Sequence, residues 1–296
     1  MIIKKPKYSV CICNFNMATT LDLSLKSVIN QLNDDYEVIV IDDGSNDNSL
    51  QILREIKNNF NNFRYIPLIR ERGRKLGETR NISIKAARGK YVILHLDTDD
   101  VWDKYIKSFV TVYHEIEKRL NINDFLLSGK QIQMANTELL LRNKYRNIYY
   151  GEDRMLWNDL AIQGKYYALD HKVFRKRISL SSKKLRIIKV IKSQISSMVI
   201  SFQYLSSISF VLKGFLKRIF FKSDWSLIIS FFNLLIIFPI FFYTILFKRR
   251  KITNLHSFNY RELNLLDLQK IEFNTMREFG KFPLSSDERK IFFNNS

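Results

Sequence analysis

Apolar residues in the first third of the chain alternate between short dense runs and helically spaced positions. Three dense runs have the length of a buried strand: KYSVCICNF (7–15), YEVIVIDDGS (36–45) and YVILHL (91–96). Three segments with apolar residues three and four positions apart predict amphipathic helices: 19–32, 49–60 and about 77–88. This strand–helix alternation predicts an α/β fold with a mostly parallel sheet that is covered by helices on both faces.

Polar residues follow each predicted strand. Asn14–Asn16, Asp42–Ser45 and Asp97–Asp100 stand where the three apolar runs end. In open α/β sheets the ligand lies beyond the carboxyl ends of the strands. We therefore expect these three groups to converge on one site.

The run LHLDTDDVWD places three carboxylates directly after an apolar strand: Asp97, Asp99 and Asp100. Like charges this close repel, and none can be buried unpaired without a large cost. Either basic side chains or a metal ion must therefore lie among them. Carboxylate oxygens in a D-x-D pattern suit Mg²⁺ or Mn²⁺, although a plain polar cap of the strand gives the same letters.

Positive charge is concentrated in one segment. Residues 1–170 hold 25 Lys and Arg against 22 Asp and Glu, and 252–296 hold 6 of each, whereas 171–251 hold 17 basic residues and Asp224 alone. Nearly all of the net charge of +19 therefore falls where the chain is also most apolar. Basic residues between apolar runs favour an anionic membrane surface over a nucleic-acid groove, which excludes nucleic acid as the expected partner.

The composition predicts four parts: a catalytic domain (1–175), basic amphipathic interfacial helices (176–222), a transmembrane or re-entrant membrane segment (223–251) and a cytosolic helical tail (252–296). The third part contains 23 uncharged residues, 225–247, enough for a helix to cross a bilayer. Basic residues on both sides of that run leave its topology open. Pro239 could break it into a hairpin, or 195–212 could be a second span.

The remaining compositional signals concern the compartment. Cys11 and Cys13 are the only cysteines, and their spacing within one strand prevents them from bonding each other. No apolar stretch of the signal-peptide type stands at the start of the sequence. A reducing compartment is expected, with the catalytic domain on the cytoplasmic face of a membrane.

Four motifs in order resemble the family 2 glycosyltransferases of GT-A fold. They are SVCICNFN, VIVIDDGSNDNS, LGETRNISIKAARGKYVILHLDTDD and GEDRMLWNDLAIQGK, and the resemblance covers residues 8–175. It implies an enzyme that takes a sugar from a nucleotide-sugar donor. One departure is that Cys13 stands where a proline is common in the family.

The resemblance also implies roles for individual residues in nucleotide-sugar binding. Phe15 is expected to pack on the base, Asp42 to hydrogen-bond it, and Cys13 to lie beside them. Asp97 and Asp99 are expected to hold Mn²⁺ or Mg²⁺ together with the ribose and diphosphate, and Arg80 to lie near the donor phosphates. Each has a simpler alternative: Phe15 as core, Asp42 as a turn cap, and Arg80 as a solvated helix residue.

The segment GEDRMLW carries the expected mechanism. By resemblance, Asp153 is the general base of an inverting transfer, because an acceptor hydroxyl must lose its proton as it attacks the anomeric carbon. The alternative is that Glu152 and Asp153 merely begin a helix near its positive end. The Q-x-x-R-W run of polymerising relatives is absent from the sequence, so addition of a single sugar is expected.

The leading functional prediction is therefore a metal-dependent, membrane-attached inverting glycosyltransferase that acts on a hydroxyl of a polyprenyl-linked or other lipid-linked acceptor. An alternative is a polyprenyl-phosphate sugar synthase, whose ionised acceptor needs no base. A third hypothesis is a non-catalytic membrane adaptor. Sugar specificity is expected to lie in loops such as 126–150.

Overall fold

A computed structural model describes residues 5–148, 151–178, 227–247 and 260–293, together with single positions between 192 and 199. The predicted interfacial helices over 176–222 lie almost entirely outside these residues. The predicted second span at 195–212 does so too. Both stay predictions.

Ten strands form two sheets among the residues that the structure describes. Their bounds are β1 Tyr8–Asn14, β2 Tyr36–Asp42, β3 Phe63–Pro67, β4 Tyr91–Leu94, β5 Asp100–Trp102, β6 Leu126–Ser128, β7 Gln133–Asn136, β8 Tyr166–Leu169, β9 Arg175–Arg177 and β10 Leu265–Leu266. The large sheet has the order β10-β8-β6-β7-β4-β1-β2-β3, and β5 and β9 form a separate antiparallel ribbon. Only β7 runs antiparallel to its neighbours in the large sheet, so the predicted α/β fold with a mostly parallel sheet is confirmed.

Ten helices connect or flank these strands in the described part of the chain. Their bounds are α1 Ala18–Ile29, α2 Ser49–Asn59, α3 Leu76–Ala86, α4 Ile106–Leu120, α5 Thr137–Arg142, α6 Glu152–Ile162, α7 Leu227–Phe247, α8 Tyr260–Leu263, α9 Leu268–Phe279 and α10 Ser286–Phe292. The first three agree closely with the helices that apolar spacing predicts, because each has one apolar face to bury.

The central strands bury both faces of the sheet. Val10 and Ile12 of β1 belong to one apolar cluster and Cys11 to the other, as successive strand residues must. Helices α1, α2 and α4 cover the first face, and α3, α5 and α6 cover the second. A parallel sheet buried on both faces explains why its strands read as continuous apolar runs.

Strand β2 ends at Asp42 and the predicted turn follows it, because the Asp42 side chain accepts hydrogen bonds from Ser45 and so turns the chain. One predicted segment differs from the structure. The expected specificity loop 126–150 is mostly regular, since strand pairing and helix α5 take up its backbone hydrogen bonds as far as Arg142. Residues 129–132 and 143–148 remain irregular within its described part.

The C-terminal segment is helical, as predicted, but it also packs against the α/β fold formed by the first part of the chain. Strand β10 pairs in parallel with β8 and forms one edge of the large sheet. Phe282 and Phe292 are buried in the same apolar cluster as β1. Arg119 of α4 donates hydrogen bonds to the carbonyl oxygen of Gly280 and to Thr275 Oγ1, each at 2.9 Å. The tail therefore helps to complete the fold.

The predicted membrane segment 223–251 is helical over Leu227–Phe247, with Pro239 inside the helix. Among the described residues, none of the helices has both the length and the apolar character to cross a membrane. A crossing at 223–251 is thus not supported, and the re-entrant form stays a prediction.

Candidate active site

The ends of β1 and β2 form one hydrogen-bonded unit. Asn14 and Asp42 are paired in register, and Asn14 Nδ2 donates to Asp42 Oδ1 at 2.7 Å. Ser45 donates to the same carboxylate twice, from Oγ to Oδ1 at 2.6 Å and from its backbone N–H to Oδ2 at 2.9 Å. Asp42 is fully buried, so the turn-cap alternative describes its observed contacts. Its contact with a base stays a prediction.

Phe15 lies beside this unit, at the surface. Its side chain is 42% exposed, so the alternative that Phe15 is a core residue is wrong. The Arg70 guanidinium stacks on the ring, with its carbon 4.1 Å from the ring centroid. Arg70 and Arg74 both pair with the buried Asp43 carboxylate, which fixes Arg70 over one face of the ring. The other face suits the predicted packing of a nucleobase, because aromatic rings stack well on bases.

Cys13 is half-buried on the strand that leads to Phe15. Burial raises the pKa of its thiol to about 12, with Arg80 opposing and Asp97 adding to the rise. The thiol is therefore neutral at physiological pH, and it could contribute only packing to a bound nucleotide. Asp43 after β2 and Asp97 after β4 both raise the pKa of this thiol near the end of β1, so three strand-end motifs lie close enough to influence one another.

The acidic cluster after β4 is compact. One oxygen from each of Asp97, Asp99 and Asp100 lies within 4.8 Å of the others. Arg177 forms ion pairs with all three carboxylates, and Arg175 Nη1 lies 2.6 Å from Asp100 Oδ1. The sequence indicated that either basic side chains or a metal ion lie among these acids. The structure places two arginine side chains there.

The two arginines reach the cluster because of the β5–β9 ribbon. Asp100 is in register with Arg177 and Trp102 with Arg175 in this antiparallel pair. Residues two apart on a strand point to the same face, so both guanidinium groups turn toward the acids and Lys176 turns away. Sequence analysis missed this pair. The alternating R-K-R pattern, two basic residues on one face of a strand, was the available signal.

The donor set of the cluster fits a hard divalent cation. Asp100 is fully buried and held by both arginines, whereas Asp97 and Asp99 keep part of their carboxylates exposed. Exposed carboxylate oxygens are ligands that Mg²⁺ and Mn²⁺ accept while they retain places for water and phosphate. The two residues that could hold the metal are therefore the two that the D-x-D pattern predicts.

Arg80 is buried, with a side chain 10% exposed, so the solvated-helix alternative is wrong. Its Nε lies 3.3 Å from Glu152 Oε1, and its guanidinium faces the Tyr145 ring. Burial raises the pKa of Glu152 to about 7, while the Arg80 charge opposes that rise. The structure thus places Arg80 beneath the site as the counter-ion of Glu152. Its predicted contact with donor phosphates is untested.

Asp153 stands on the first turn of α6. Gly151 caps this helix with φ of +81°, a conformation that favours glycine. Asp153 is half-buried, and its Oδ1 accepts a hydrogen bond from the Arg154 backbone N–H at 2.7 Å. Its charge raises the pKa of Glu152, and so does that of Asp97. The proposed base and the acidic cluster therefore act on the same buried carboxyl group.

His95 and Tyr145 were also missed by sequence analysis. His95 adopts φ of +67°, uncommon for a residue other than glycine, two positions before Asp97. Its Nε2 lies 3.3 Å from the Tyr145 hydroxyl, and burial, with help from Arg80, lowers its pKa well below the usual value. A histidine that interrupts the apolar run YVILHL was the signal for a special backbone position.

Comparison with known proteins decides the family. Residues 9–176 match the model of "Glycosyl transferase family 2". The chain belongs to this family. The matched range begins in β1 and ends in β9, so it contains the Asp42 turn, the acidic cluster and the start of α6.

Two curated relatives illustrate the similarity within family 2. A cholesterol galactosyltransferase of Borreliella burgdorferi is 40% identical over 99 residues, 33% of this chain and 26% of that protein. A GalNAc(5)-diNAcBac-PP-undecaprenol beta-1,3-glucosyltransferase of Campylobacter jejuni is 24% identical over 200 residues, 57% of this chain and 64% of that protein. The chain thus spans between about a quarter and two thirds of these relatives.

Solved structures show the same fold. TarS 1–349 of S. aureus aligns with a TM-score of 0.53 at 15% identity, covering 81% of each chain. A mannosyltransferase from Pyrobaculum calidifontis, solved with GDP-Man and Mn²⁺, aligns with a TM-score of 0.50 at 14% identity, covering 83% of this chain and 71% of that one. At these identities the likeness establishes a GT-A-like α/β fold.

Proposed function

We propose that this family 2 glycosyltransferase moves one sugar from a nucleotide-sugar donor to a hydroxyl of a lipid-linked acceptor, with inversion at the anomeric carbon. The observation that carries the proposal is the shared environment of three motifs. These motifs lie at one edge of the parallel sheet. Two follow strands, the Asp42 turn and the Asp97–Asp100 cluster, and the third is the start of helix α6 at Glu152–Asp153.

The first two motifs would bind the donor. Phe15 offers one ring face to the base, and the Asp42 turn holds that ring beside the ends of β1 and β2. Structural neighbours solved with UDP-GlcNAc and with GDP-Man support a nucleotide-sugar as the ligand class. Cys13 would line the floor of this site as a neutral thiol.

Asp97 and Asp99 would hold Mn²⁺ or Mg²⁺. Neighbours of the same fold were solved with Mn²⁺, and the two carboxylates are the exposed members of the cluster. A bound ion would offset the charge that grows on the departing diphosphate. Asp100 would stay with Arg175 and fix the loop that carries the two ligands.

Asp153 would act as the general base. Its carboxylate takes the proton of the acceptor hydroxyl as that oxygen bonds to the anomeric carbon, and the bond from this carbon to the nucleoside diphosphate breaks on the opposite side. Arg80 and Glu152 form a buried pair beneath the first turn of α6 and so hold Asp153 in place. Attack opposite the leaving group inverts the configuration.

The proposal of a lipid-linked acceptor is supported by the names of similar proteins and by the positive charge of residues 171–251. Besides the two described above, a UDP-Glc:alpha-D-GlcNAc-diphosphoundecaprenol beta-1,3-glucosyltransferase of Escherichia coli is 26% identical over 184 residues. Lipid-linked acceptors are held at membranes, and the net charge of +16 over 171–251 suits an anionic lipid surface. We propose that the enzyme is attached to the cytoplasmic face through this segment, without a crossing at 223–251.

The test compares wild type with Asp153→Asn on two acceptors. We expect the variant to lose transfer to a lipid-linked sugar hydroxyl by about 10²–10⁴-fold in kcat, with donor affinity nearly unchanged. Donor affinity is measured by calorimetry and the anomeric configuration of the product by NMR. If the variant retains transfer to a polyprenyl phosphate, whose oxygen is already ionised, the polyprenyl-phosphate synthase becomes the better description. If neither form releases nucleotide, the adaptor hypothesis does.

A further inference from the structure

We propose that Arg177 is the resident counter-cation of the acidic cluster and that it competes with a divalent ion for Asp97 and Asp99. The inference rests on the metal-binding part of the proposed function and adds to it a residue outside the D-x-D pattern. It assigns to strand β9 the role of setting how tightly the site binds metal.

The contacts of Arg177 define its position. Its Nη2 lies 2.9 Å from Asp97 Oδ2 and 3.3 Å from Asp99 Oδ1, while its Nε lies 3.1 Å from Asp100 Oδ1. One planar guanidinium thus meets all three carboxylates through two of its nitrogen atoms, as its rigid fork of donors allows. The guanidinium charge of Arg177 thus lies where a cation bound by both Asp97 and Asp99 would lie.

The cluster has a fixed half and an exchangeable half. Asp100 is 0% exposed and Arg175 is 15% exposed, and their pair at 2.6 Å lies inside the β5–β9 ribbon. Asp97, Asp99 and Arg177 have side chains 41%, 29% and 47% exposed. Ion pairs this exposed are weak because water screens them, so Arg177 can leave two of its partners while its backbone remains in β9.

A divalent ion and the guanidinium compete for the same two carboxylates. Both are positive and repel each other, and Arg177 already contacts one oxygen of Asp97 and one oxygen of Asp99. In this proposal metal binding displaces the Arg177 side chain from Asp97 and Asp99. The cost of that displacement lowers the affinity of the site for metal alone.

The experiment measures Mn²⁺ binding and needs no turnover. Full-length wild type, Arg177→Gln and Lys176→Gln are titrated with Mn²⁺ alone, and free Mn²⁺ is followed by electron paramagnetic resonance. We expect Arg177→Gln to bind Mn²⁺ about tenfold more tightly than wild type, since two competing exposed ion pairs are lost. Lys176 is exposed, and its side chain points to the opposite face of β9, so its loss changes affinity by less than about twofold.

Two further variants keep the test interpretable. Arg177→Lys retains the charge but not the fork, so it should fall between wild type and Arg177→Gln. Thermal unfolding with a midpoint near that of wild type shows that each variant is folded. Asp99→Asn should abolish saturable binding in every background, which identifies the measured site.

The outcomes separate the two proposals. Equal or weaker Mn²⁺ binding by Arg177→Gln, with wild type binding through Asp99, overturns the competition and leaves the metal-dependent function standing. Equal tightening by Lys176→Gln and Arg177→Gln also overturns it, because a general charge effect would explain both. Absence of Asp99-dependent binding in all variants overturns the metal site itself and this inference with it.

Discussion

Strands β2 and β4, on either side of β1, hold the carboxylates at their ends in opposite ways. At the end of β2, Asp42 is fully buried and receives only neutral donors, from Asn14 and Ser45. After β4, Asp97 and Asp99 are part-exposed and face the Arg177 guanidinium. Short neutral hydrogen bonds in a buried turn fix a shape, whereas exposed ion pairs balance charge and can be exchanged. The Asp42 turn is therefore suited to holding the backbone in place, whereas the Asp97 and Asp99 ion pairs are suited to reversible binding of a ligand.

The largest expected effect separates chemistry from stability at the second strand end. Asp99→Ala should lower kcat by about 10²–10³-fold, because it removes a ligand of the cation that offsets transition-state charge. Its midpoint of thermal unfolding should stay near the wild-type value, since the lost ion pair is part-exposed. Nucleotide-release assays in Mn²⁺, with and without excess chelator, measure the first quantity. Full activity of wild type in the chelator would contradict the prediction.

The same comparison predicts the reverse behaviour for Asp42. Asp42→Ala removes the acceptor of three hydrogen bonds and leaves buried donors on Asn14 and Ser45 unsatisfied. The free energy of unfolding should fall by about 2–4 kcal/mol, measured by urea denaturation. Asp99→Ala is the matched control. Equal losses of stability in the two variants would show that the two strand ends do not differ as described.

Glu272 of α9 is another buried carboxylate, and its ion pair predicts a dependence of protein stability on pH. Arg289 binds both its oxygens at 2.8 Å and Phe282 N–H binds one, so hydrogen bonding to Arg289 holds the pKa of Glu272 below its usual value. A depressed folded-state pKa stabilises the protein above the unfolded value near 4.5, and this stability is lost as pH falls through the folded value. Glu272→Gln should therefore lower unfolding free energy by about 1–3 kcal/mol at pH 7.

The difference between wild type and Glu272→Gln should shrink steadily below pH 4.5, as seen in denaturant melts at a series of pH values. A difference that is constant from pH 7 to pH 3 would mean that the charge of Glu272 contributes nothing. Lys290→Gln, at an exposed pair with Asp287, is the control and should leave the free energy of unfolding almost unchanged at any pH.

The smallest effect tests how finely the Asp42 turn is built. Ser45→Ala removes three contacts of one hydroxyl, with Asn14, Asn16 and Asp42, but leaves the backbone N–H bond to Asp42 Oδ2. Stability should fall by about 1 kcal/mol, and nucleotide affinity should weaken modestly because Asn16 also receives support from this hydroxyl. Calorimetry with the donor nucleotide and urea melts together measure both changes. Unchanged affinity would place the turn outside the nucleotide site.

The sequence predicted the sheet and its three strand-end motifs because apolar runs and helical spacing are local signals. It could not predict the arrangement around Asp100, since Arg175 and Arg177 stand 75 or more positions away and meet it only through the β5–β9 pair. Arg80 shows the same limit. Its place on α3 was predictable, but its burial depends on Glu152 of α6, which arrives from another part of the chain.

The C-terminal segment shows a different limit. Its helical spacing predicted α9, but nothing local in LNLLDL indicates that Leu265 and Leu266 pair with Ala168 and Leu169. A two-residue strand has too few side chains for a periodic pattern. Helix α7 shows another limit of sequence patterns. The uncharged run 225–247 predicted a membrane crossing, which the helices of the described residues do not support.

The edge strand β10 also has a consequence for synthesis. Strand β8 ends at Leu169, and its partner at Leu265 leaves the ribosome only after the basic, apolar segment between them. At a synthesis rate of about 5–20 residues per second, the edge of the sheet stays open for roughly 5–20 seconds. During that interval an unpaired strand can pair with other nascent chains. The basic, apolar segment is thus synthesised before the sheet can be completed, so the proposed attachment to a membrane would be coupled in time to completion of the sheet.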